Sequence, residues 1–389
     1  MDSDLQKGQL QKDIKNNTFL KRQFKMKRLN IGGLIPKLPI IQGGMGICVS
    51  LSGLASAVAN AGGIGVISAV GIGMLEPNYR RKFRESNKIA LTKEIRKARE
   101  KSDGIIGINI MMAISDFDDL LKIALEEKVD VIFIGAGLFL KRPEMPEGCT
   151  TKFVPKVSSA RAARVIFNYW ADKYNCVPDA VVVEGPMCGG HVGFKKNELL
   201  NNQKPLRELI EETVAIIKPF EERFNIEIPV IAAGGVYTGK DMFEVMEAGA
   251  SAVKMGTRFV TTHECDVSDA FKQNYLRATS DDITLIDSPV GLPGRVITSP
   301  FVKKIQAGET MPISCPWKCL KTCDYKKAPF CIAQALFNAA QGNLDEGFSF
   351  AGSKAYLAEK IISVKETINQ IMEEYYEAKY LSKLKLKSV

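Results

Sequence analysis

The sequence contains little histidine and little tryptophan, with two residues of each among 389. Imidazole chemistry therefore depends on His191 and His263 alone. No apolar run reaches the roughly 18–20 residues that a membrane-spanning helix needs, and the first residues lack the apolar core of a secretory signal. We therefore expect a cytoplasmic protein with no membrane partner, whose nine cysteines are free or metal-bound rather than paired.

The basic charge is confined to the two ends of the chain. Residues 1–30 carry eight Lys and Arg against three Asp and Glu, residues 379–389 carry four Lys and no acid, and the whole chain has a net charge of +9. The part between these ends is consequently neutral. Because basic charge occurs only in the tails, we predict no nucleic-acid partner. We expect the tails to be solvated or to contact a second copy of the chain in a homodimer.

Short apolar runs alternate with amphipathic segments from residue 38 to about residue 277. The runs are continuously apolar, as in strands covered on both faces, and their alternation with helices predicts a parallel sheet. Eight units favour an α/β fold with a closed (β/α)₈ TIM barrel over an open sheet. The predicted strands are Pro39–Ile41, Gly65–Ser68, Ile105–Ile110, Val131–Ile134, Lys152–Val157, Ala180–Glu184, Pro229–Ala232 and Ala252–Gly256. The predicted helices are Ser52–Ala61, Lys93–Lys101, Asp116–Glu127, Ser159–Tyr174, Pro205–Phe220, Lys240–Glu247 and Ser268–Arg277, and Leu75–Lys88 is predicted to be a long loop.

The alternation ends near residue 278. Four prolines between residues 281 and 312 predict a loop-like stretch, a cysteine-rich stretch follows at 315–331, and an amphipathic helix is predicted from about Gly352 to Tyr380. We therefore predict four parts: a basic tail over 1–30, the barrel over 31–277, a cap or subdomain over the barrel mouth at 278–350, and residues 351–389, whose helix packs on the barrel and is followed by a basic tail.

The residues that follow the strands form the candidate site, since barrel enzymes place their chemistry at the carboxyl ends of the strands. These residues are Gly44, Met45, Asn109, Lys156, Glu184, Gly189, Gly190, His191, Gly234, Gly235, Lys254, Met255, Gly256 and Thr257. The glycines after the last two strands offer backbone N–H groups to a phosphate, and Thr257 adds a hydroxyl. Asn109, Lys156 and Glu184 have the polar groups to bind the edge of a ring system. The pattern predicts a phosphorylated cofactor at the barrel mouth.

His191 is the predicted catalytic residue. An isolated histidine is more often a hydrogen-bonded core residue than a functional one, but His191 lies in the loop GGHVG directly after a strand. Glycines let a flat ligand approach the backbone closely while the imidazole lies over it. His263, in TTHEC after the last strand, is predicted to be a surface or subunit-contact residue.

Eight short motifs carry a resemblance to a known family. They are IQGGMG (41–46), GGIGVIS (62–68), GINIM (107–111), GAG (135–137), VPKVSS (154–159), VEGPMCGGHVG (183–193), PVIAAGG (229–235) and KMGTRF (254–259). In this order the chain resembles the nitronate monooxygenases, formerly called 2-nitropropane dioxygenases, and their relative, the FMN-dependent enoyl-acyl-carrier-protein reductase II. Each motif alone is weak, and the succession GGHxG, AAGG and MGTRF is specific.

The resemblance implies a barrel that binds FMN without a covalent link. It implies that Asn109, Glu184, Gly189, Gly235 and residues 254–257 contact the flavin, with Met45 near its ring. His191 corresponds to the active-site histidine of the family. Some relatives carry glutamine at 184 and 254, so this chain has charged variants at both positions, and Lys156 stands where the reductase has an uncharged residue.

Three functions remain open from the sequence. The first is an FMN-dependent monooxygenase that oxidises alkyl nitronates with O₂, with His191 as a hydrogen-bond donor or as a base. The second is a reductase of the same fold that uses NAD(P)H to reduce an enoyl thioester. The third is a non-catalytic flavin-binding or metal-sensing protein that acts through its tails and cysteines.

Cys315, Cys319, Cys323 and Cys331 lie within 17 residues. On a helix, the first three would lie along one stripe, and four thiols are a ligand set for zinc or an iron–sulfur cluster. The spacing C-x₃-C-x₃-C-x₇-C is that of neither a zinc finger nor a ferredoxin. We therefore assign no metal site from the sequence and favour free thiols, with these four cysteines as the candidates should a metal bind.

Overall fold

The computed structural model describes residues 26–201, 204–311, 313, 315 and 317–387. Of the predicted basic tail over residues 1–30, only positions 26–30 are among the described residues. Within the described ranges, no helix combines the length and the apolar character needed to cross a bilayer.

Eight parallel strands form the centre of the fold. The strands along the chain are β1 (Ile40–Gln42), β2 (Gly65–Ser68), β3 (Ile106–Met111), β4 (Val131–Gly135), β5 (Lys152–Val157), β6 (Val181–Glu184), β7 (Gly190–His191), β8 (Val230–Ala233), β9 (Ala252–Met255), β10 (Ile283–Asp287) and β11 (Pro293–Ile297). The parallel sheet has the order β1-β9-β8-β6-β5-β4-β3-β2. The N–H of Gln42 donates to the carbonyl of Ile64, and the N–H of Ile64 donates to Ile40, both at 3.0 Å. These bonds join the two ends of the sheet, which confirms the predicted barrel.

Helices connect most of these strands along the outside of the barrel. They are α1 (Ser52–Asn60), α2 (Phe83–Lys101), α3 (Phe117–Glu126), α4 (Ala160–Tyr174), α5 (Lys196–Asn201), α6 (Leu206–Phe224), α7 (Gly239–Glu247), α8 (Thr257–Val260), α9 (Asp269–Arg277), α10 (Pro300–Gln306), α11 (Ile332–Ala340) and α12 (Val364–Lys387). Side-chain caps fix several starts: Ser159 accepts from the N–H of Ala162 before α4, and Thr238 and Asp241 form a capping box at α7.

The barrel interior is built in two layers. Successive residues of a strand point to opposite faces, so the inward positions alternate along each strand. Val154, Val182 and Ala252 belong to an apolar cluster that fills the floor of the barrel. Two residues further along the same strands, Lys156, Glu184 and Lys254 occupy the next layer. An apolar floor thus supports a charged layer at the carboxyl ends of the strands.

Two local predictions are wrong, and the three cysteines that a helix would align do not lie on a helix. The segment Leu75–Lys88 is not a long loop throughout, because α2 already begins at Phe83. The stretch 281–312 is not loop-like, since β10 and β11 form an antiparallel hairpin and α10 follows. The described residues among 315–323 form turns and extended chain, so the first three cysteines do not share a helix stripe.

The last helix begins later than predicted, at Val364 rather than near Gly352, and it packs on the barrel. Gly239 at the start of α7 donates its N–H to Glu374 of α12 at 2.6 Å. A Cβ at Gly239 would lie 1.9 Å from the carbonyl oxygen of Ile371, so the absence of a side chain there permits this close contact.

Candidate functional site

An ion pair and a second lysine form the charged layer at the barrel mouth. Lys156 Nζ lies 2.9 Å from Glu184 Oε1, with 15% and 29% of the two side chains exposed. Lys254 is buried, and its Nζ lies 5.2 Å from the centre of the Phe133 ring on the floor below. The layer therefore holds two potential cations and one anion in a confined space.

Burial and neighbouring charge control the protonation of this layer. Burial would raise the pKa of Glu184, but the ammonium group of Lys156 and the more distant charge of Lys254 hold that pKa below its ordinary value. Burial, with the repulsion of Lys156, lowers the pKa of Lys254 to about 7, although Glu184 opposes the change. Lys254 can consequently gain or lose its proton near neutral pH, which an ordinary lysine does not do.

Replacing Lys254 by methionine is expected to stabilise the protein by up to about 5 kcal/mol below pH 7, since the pKa falls from 10.5 to about 7 and each unit corresponds to about 1.4 kcal/mol. Below pH 7 the native protein must bury the charge, whereas between about pH 7 and pH 10 only the unfolded chain takes up the proton. The stability of the unsubstituted protein therefore rises over that interval, and the advantage of Lys254→Met shrinks. Denaturant unfolding of both proteins at pH 6, 8 and 9.5 measures the difference in their free energies of unfolding. Lys240→Met, at an exposed position of α7, is the control, and an advantage independent of pH would contradict the prediction.

Two buried polar atoms at the same level have no hydrogen-bond partner among the described residues. They are Asn109 Oδ1 at the inner face of β3 and Ser68 Oγ at the end of β2. Both side chains are almost fully buried. Since buried polar atoms are normally paired, these two are positioned to bond a ligand that enters the barrel mouth.

The loop after β6 is held in place by a buried arginine. The Arg295 guanidinium, from β11, donates to the carbonyl of Pro186 at 2.8 Å and to that of Cys188. Gly189 packs so closely that a Cβ there would lie 2.5 Å from the carbonyl carbon of Ala351. The backbone of the loop is therefore fixed from two sides before it reaches His191.

His191 belongs to the short strand β7, which pairs with the cap. Its Cα partner is Gly294 of β11, and its Nε2 lies 2.8 Å from the hydroxyl oxygen of Ser288. The edge of its ring contacts Phe350, with the ring centres 5.0 Å apart. Burial lowers the pKa of His191 to about 4, so the imidazole is neutral at physiological pH.

Glycine turns form the opposite rim of the mouth. Gly234 and Gly235, which follow β8, have φ values of +82° and +98°, a region that L side chains rarely adopt. Thr257 accepts a hydrogen bond from the N–H of Gly352 at 2.9 Å. Lys354 reaches the same rim, where its Nζ lies 2.6 Å from Asp241. Backbone N–H groups, hydroxyls and an ammonium group thus converge at a position suited to a phosphate.

A single cavity with a volume of about 720 Å³ joins these parts, and cofactor and substrate sites occupy roughly 300–1,000 Å³. It is lined by all fourteen predicted site residues: Gly44, Met45, Asn109, Lys156, Glu184, Gly189, Gly190, His191, Gly234, Gly235, Lys254, Met255, Gly256 and Thr257. The structure therefore brings the whole candidate set together, and the role of each residue stays a prediction.

The roof of the cavity comes from the part of the chain after residue 278. Its wall there is mainly apolar and includes Leu292, Leu320, Leu336 and Phe350. Of the four candidate cysteines, Cys319 also lines this cavity. The site is consequently polar at the strand ends and apolar above them, which suits a flat polar ring below and an apolar substrate group above.

Sequence reasoning missed Ser288, Arg295, Ser353 and Lys354. Each lies more than 90 residues beyond the strand-end motif that it contacts or faces, so local patterns carry no sign of the contact. The hairpin that positions Ser288 and Arg295 did have a signal, namely two apolar runs separated by a stretch rich in proline and glycine.

Comparisons with known proteins agree with this architecture. A dehydrogenase of Mycobacterium tuberculosis that is named for a 5-hydroxy-7a-methyl-1-oxo-octahydro-1H-indene-4-carboxyl-CoA is 28% identical over 270 residues, which cover 69% of this chain and 66% of that protein. A probable nitronate monooxygenase of Staphylococcus haemolyticus is 26% identical over 296 residues, covering 70% and 78%. Among solved structures, FabK from Thermotoga maritima is 31% identical and superposes with a TM-score of 0.69 over 90% of this chain and 96% of FabK.

The barrel and the residues at its mouth, taken with these relatives, define an oxidoreductase. The family model for nitronate monooxygenase matches residues 29–374, which include the barrel, the cap and part of the last helix. The chain belongs to the nitronate monooxygenase family.

Proposed function

We propose that the cavity at the barrel mouth binds FMN. The residues present fit this cofactor at the level of the charged layer. There the unpartnered atoms of Asn109 and Ser68 lie in the same cavity as the Lys156–Glu184 pair. A flavin ring presents both donors and acceptors along one edge, and these side chains supply the complementary groups.

The opposite rim fits the phosphate end of the cofactor. The turns at Gly235 and Gly256 expose backbone N–H groups, and Thr257, Ser353 and Lys354 line the cavity beside them. The hydroxyl oxygen of Ser353 is buried without a partner among the described residues. The donors at the rim favour an anionic group, and Lys354 adds an ammonium group that Asp241 already pairs at 2.6 Å.

We infer that the protein oxidises alkyl nitronates, with O₂ as the final oxidant. The observation that carries this inference is the half-buried imidazole of His191, which lines the cavity with its Nε2 2.8 Å from the Ser288 hydroxyl oxygen and is neutral because burial lowers its pKa. A nitronate is the anion of a nitroalkane and is already electron-rich at carbon, so it requires a hydrogen-bond donor rather than a base. With a pKa of about 4, His191 is a poor base towards a neutral nitroalkane.

The residues around His191 support a donor role. When the Ser288 hydroxyl donates to Nε2, the other ring nitrogen, Nδ1, carries the ring proton. It can then donate a hydrogen bond to an oxygen of the nitronate. The pairing of β7 with β11 fixes the ring, and the apolar roof excludes water. When bound, FMN supplies the acceptor for the electrons that leave the substrate carbon.

The reductase hypothesis is the second candidate, and two observations favour it. The apolar roof provides room for an acyl group above the strand ends. The mycobacterial relative is a dehydrogenase named for a carboxyl-CoA compound. In this alternative, NAD(P)H supplies the electrons and an enoyl thioester accepts them, with His191 donating a hydrogen bond to the thioester carbonyl.

Anaerobic mixing experiments test the function. The purified protein should be yellow, and propyl-2-nitronate should rapidly bleach its flavin absorbance. The neutral 2-nitropropane, added before it ionises, should not, because His191, with a pKa of about 4, is a poor base towards it. NADH and NADPH are mixed in parallel, and free FMN serves as the control.

Each other outcome contradicts a stated part of the proposal. Bleaching by a nicotinamide alone would exclude nitronate oxidation, and enoyl thioesters would then be assayed as acceptors. Equal bleaching by 2-nitropropane would show that a base in the cavity ionises the neutral nitroalkane. It would contradict the view that the site needs only a hydrogen-bond donor. A colourless protein that does not take up FMN would contradict the cofactor assignment.

A further inference from the structure

Four cysteines form a compact group within the part of the chain that makes the roof of the cavity. We name Cys315, Cys319, Cys323 and Cys331 the thiol cluster. They lie on the segment between α10 and α11. The described residues of that segment form no helix and no strand longer than an isolated bridge at Leu320. Chain with so little regular structure needs another source of order to hold a fixed shape.

The four thiols converge on one point. All four line a single small cavity with a volume of about 20 Å³, closed by the apolar side chains of Ile313, Leu320 and Ile332. Each of the six pairs within the cluster is close enough to interact electrostatically. Residues separated by up to 16 positions thus meet around a void of about the size that holds one water molecule.

The thiols are free and half-buried. No disulfide joins them. Burial, together with the other three thiols, raises the pKa of Cys319 to about 12, and burial also raises the pKa of Cys323 and of Cys331. Four reduced cysteines around a common void form a potential set of sulfur ligands for one cation.

We propose that the thiol cluster is a structural site for one zinc ion held by four thiolates. Four sulfur donors select zinc or an iron–sulfur cluster, and a void of about one atom's size favours a single ion. Among the described residues, no three potential ligands already stand in coordinating positions. The sulfurs would therefore have to move towards the ion when it binds.

One lysine lies beside such a site, and others are on the same segment of the chain. Binding releases four protons to solvent and leaves a net charge of −2 on the zinc tetrathiolate. Lys318 lines the small cavity, and Lys321, Lys326 and Lys327 follow on the same segment.

The site would order one wall of the main cavity. Ser115 donates its N–H to the carbonyl of Cys319 at 3.0 Å, and Lys321 donates its N–H to Ala113 at 2.9 Å. Between these bonds, Leu320 and Cys319 line the main cavity. A zinc ion behind this wall would hold the wall in position. The proposal does not depend on the identity of the cofactor or the substrate.

Metal analysis of the untagged full chain, purified under reducing conditions without chelator, tests the proposal. We expect about one zinc per chain, and X-ray absorption with four sulfur neighbours at about 2.3 Å. Cys319→Ser and Cys323→Ser should each lose most of the bound zinc. Cys176→Ser, at a half-buried free cysteine outside the cluster, should keep it.

Protein that contains no metal would overturn the proposal, and iron with inorganic sulfide would overturn the single-ion assignment. Because a cysteine variant could misfold, the unsubstituted protein is also dialysed against a chelator. Its melting temperature should fall and should recover on addition of zinc alone. Flavin content, read from the absorbance of the same samples, separates failure of this proposal from failure of the proposed function.

Discussion

Replacing His191 by alanine is expected to lower the turnover of an alkyl nitronate by about 100- to 1,000-fold, the usual effect of removing one donor to a developing oxyanion. The imidazole forms one side-chain hydrogen bond, to Ser288, and contacts one ring, Phe350. The substitution should therefore leave flavin content and melting temperature nearly unchanged. Oxygen uptake with propyl-2-nitronate, together with the flavin absorbance of each variant, measures the effect.

The other histidine provides the matched control. His263 is exposed and does not line the cavity. Its backbone N–H donates to the carbonyl of Ile362 at 3.0 Å. His263→Ala should keep full turnover, and His191→Asn, which retains a donor, should recover part of what His191→Ala loses. If both alanine variants behaved alike, His191 would have no part in the reaction.

Replacing Glu184 by glutamine is expected to lower the free energy of unfolding by about 2–4 kcal/mol. Breaking a fully buried ion pair typically costs about 3–5 kcal/mol because one charge is left without a partner, and 29% of the Glu184 side chain is still exposed. The substitution leaves Lys156 and Lys254 close together with no anion between them. It should also lower the pKa of Lys254 further, since Glu184 is the charge that opposes that decrease.

A surface pair at the same distance is the control for Glu184→Gln. Lys196 Nζ and Asp287 Oδ2 also lie 2.9 Å apart, but the two side chains are 46% and 80% exposed. Asp287→Asn should change stability by less than about 1 kcal/mol. Denaturant unfolding at pH 8 compares the two variants, and equal losses would contradict the view that burial makes the Lys156–Glu184 pair important.

The barrel and its charged layer could be predicted from sequence because both depend on local periodicity. Val182 and Glu184 are two residues apart on one strand, so a single assignment of the strand places one on the floor and the other in the layer above. The same spacing relates Val154 to Lys156 and Ala252 to Lys254.

The start of α2 and the cap hairpin were missed for identifiable reasons. In α2 a helical position that would ordinarily carry an apolar residue is occupied by the buried Asn87, which bonds Asp116 at 2.7 Å. The apolar period is therefore interrupted where the helix begins. In the hairpin, Pro293 occupies the first position of β11, where proline is tolerated, although in a sequence a proline more often indicates a loop.

The contacts that complete the site could not be predicted, because they join distant parts of the chain. Ser288 meets His191 across 97 positions and Arg295 meets Cys188 across 107. No local propensity encodes such a pairing. The thiol cluster is a similar case, since its spacing suggested a helix and the structure brings the four thiols together through turns.

The pairing of β7 with β11 has a consequence for how this fold can be divided. A barrel cut after residue 277 would keep all eight barrel strands and the glycine turns that follow them, yet it would lose β11, the strand with which His191 pairs. The roof is therefore not an interchangeable module: a roof transplanted from another barrel would have to supply the backbone that aligns the histidine as well as the walls that select the substrate.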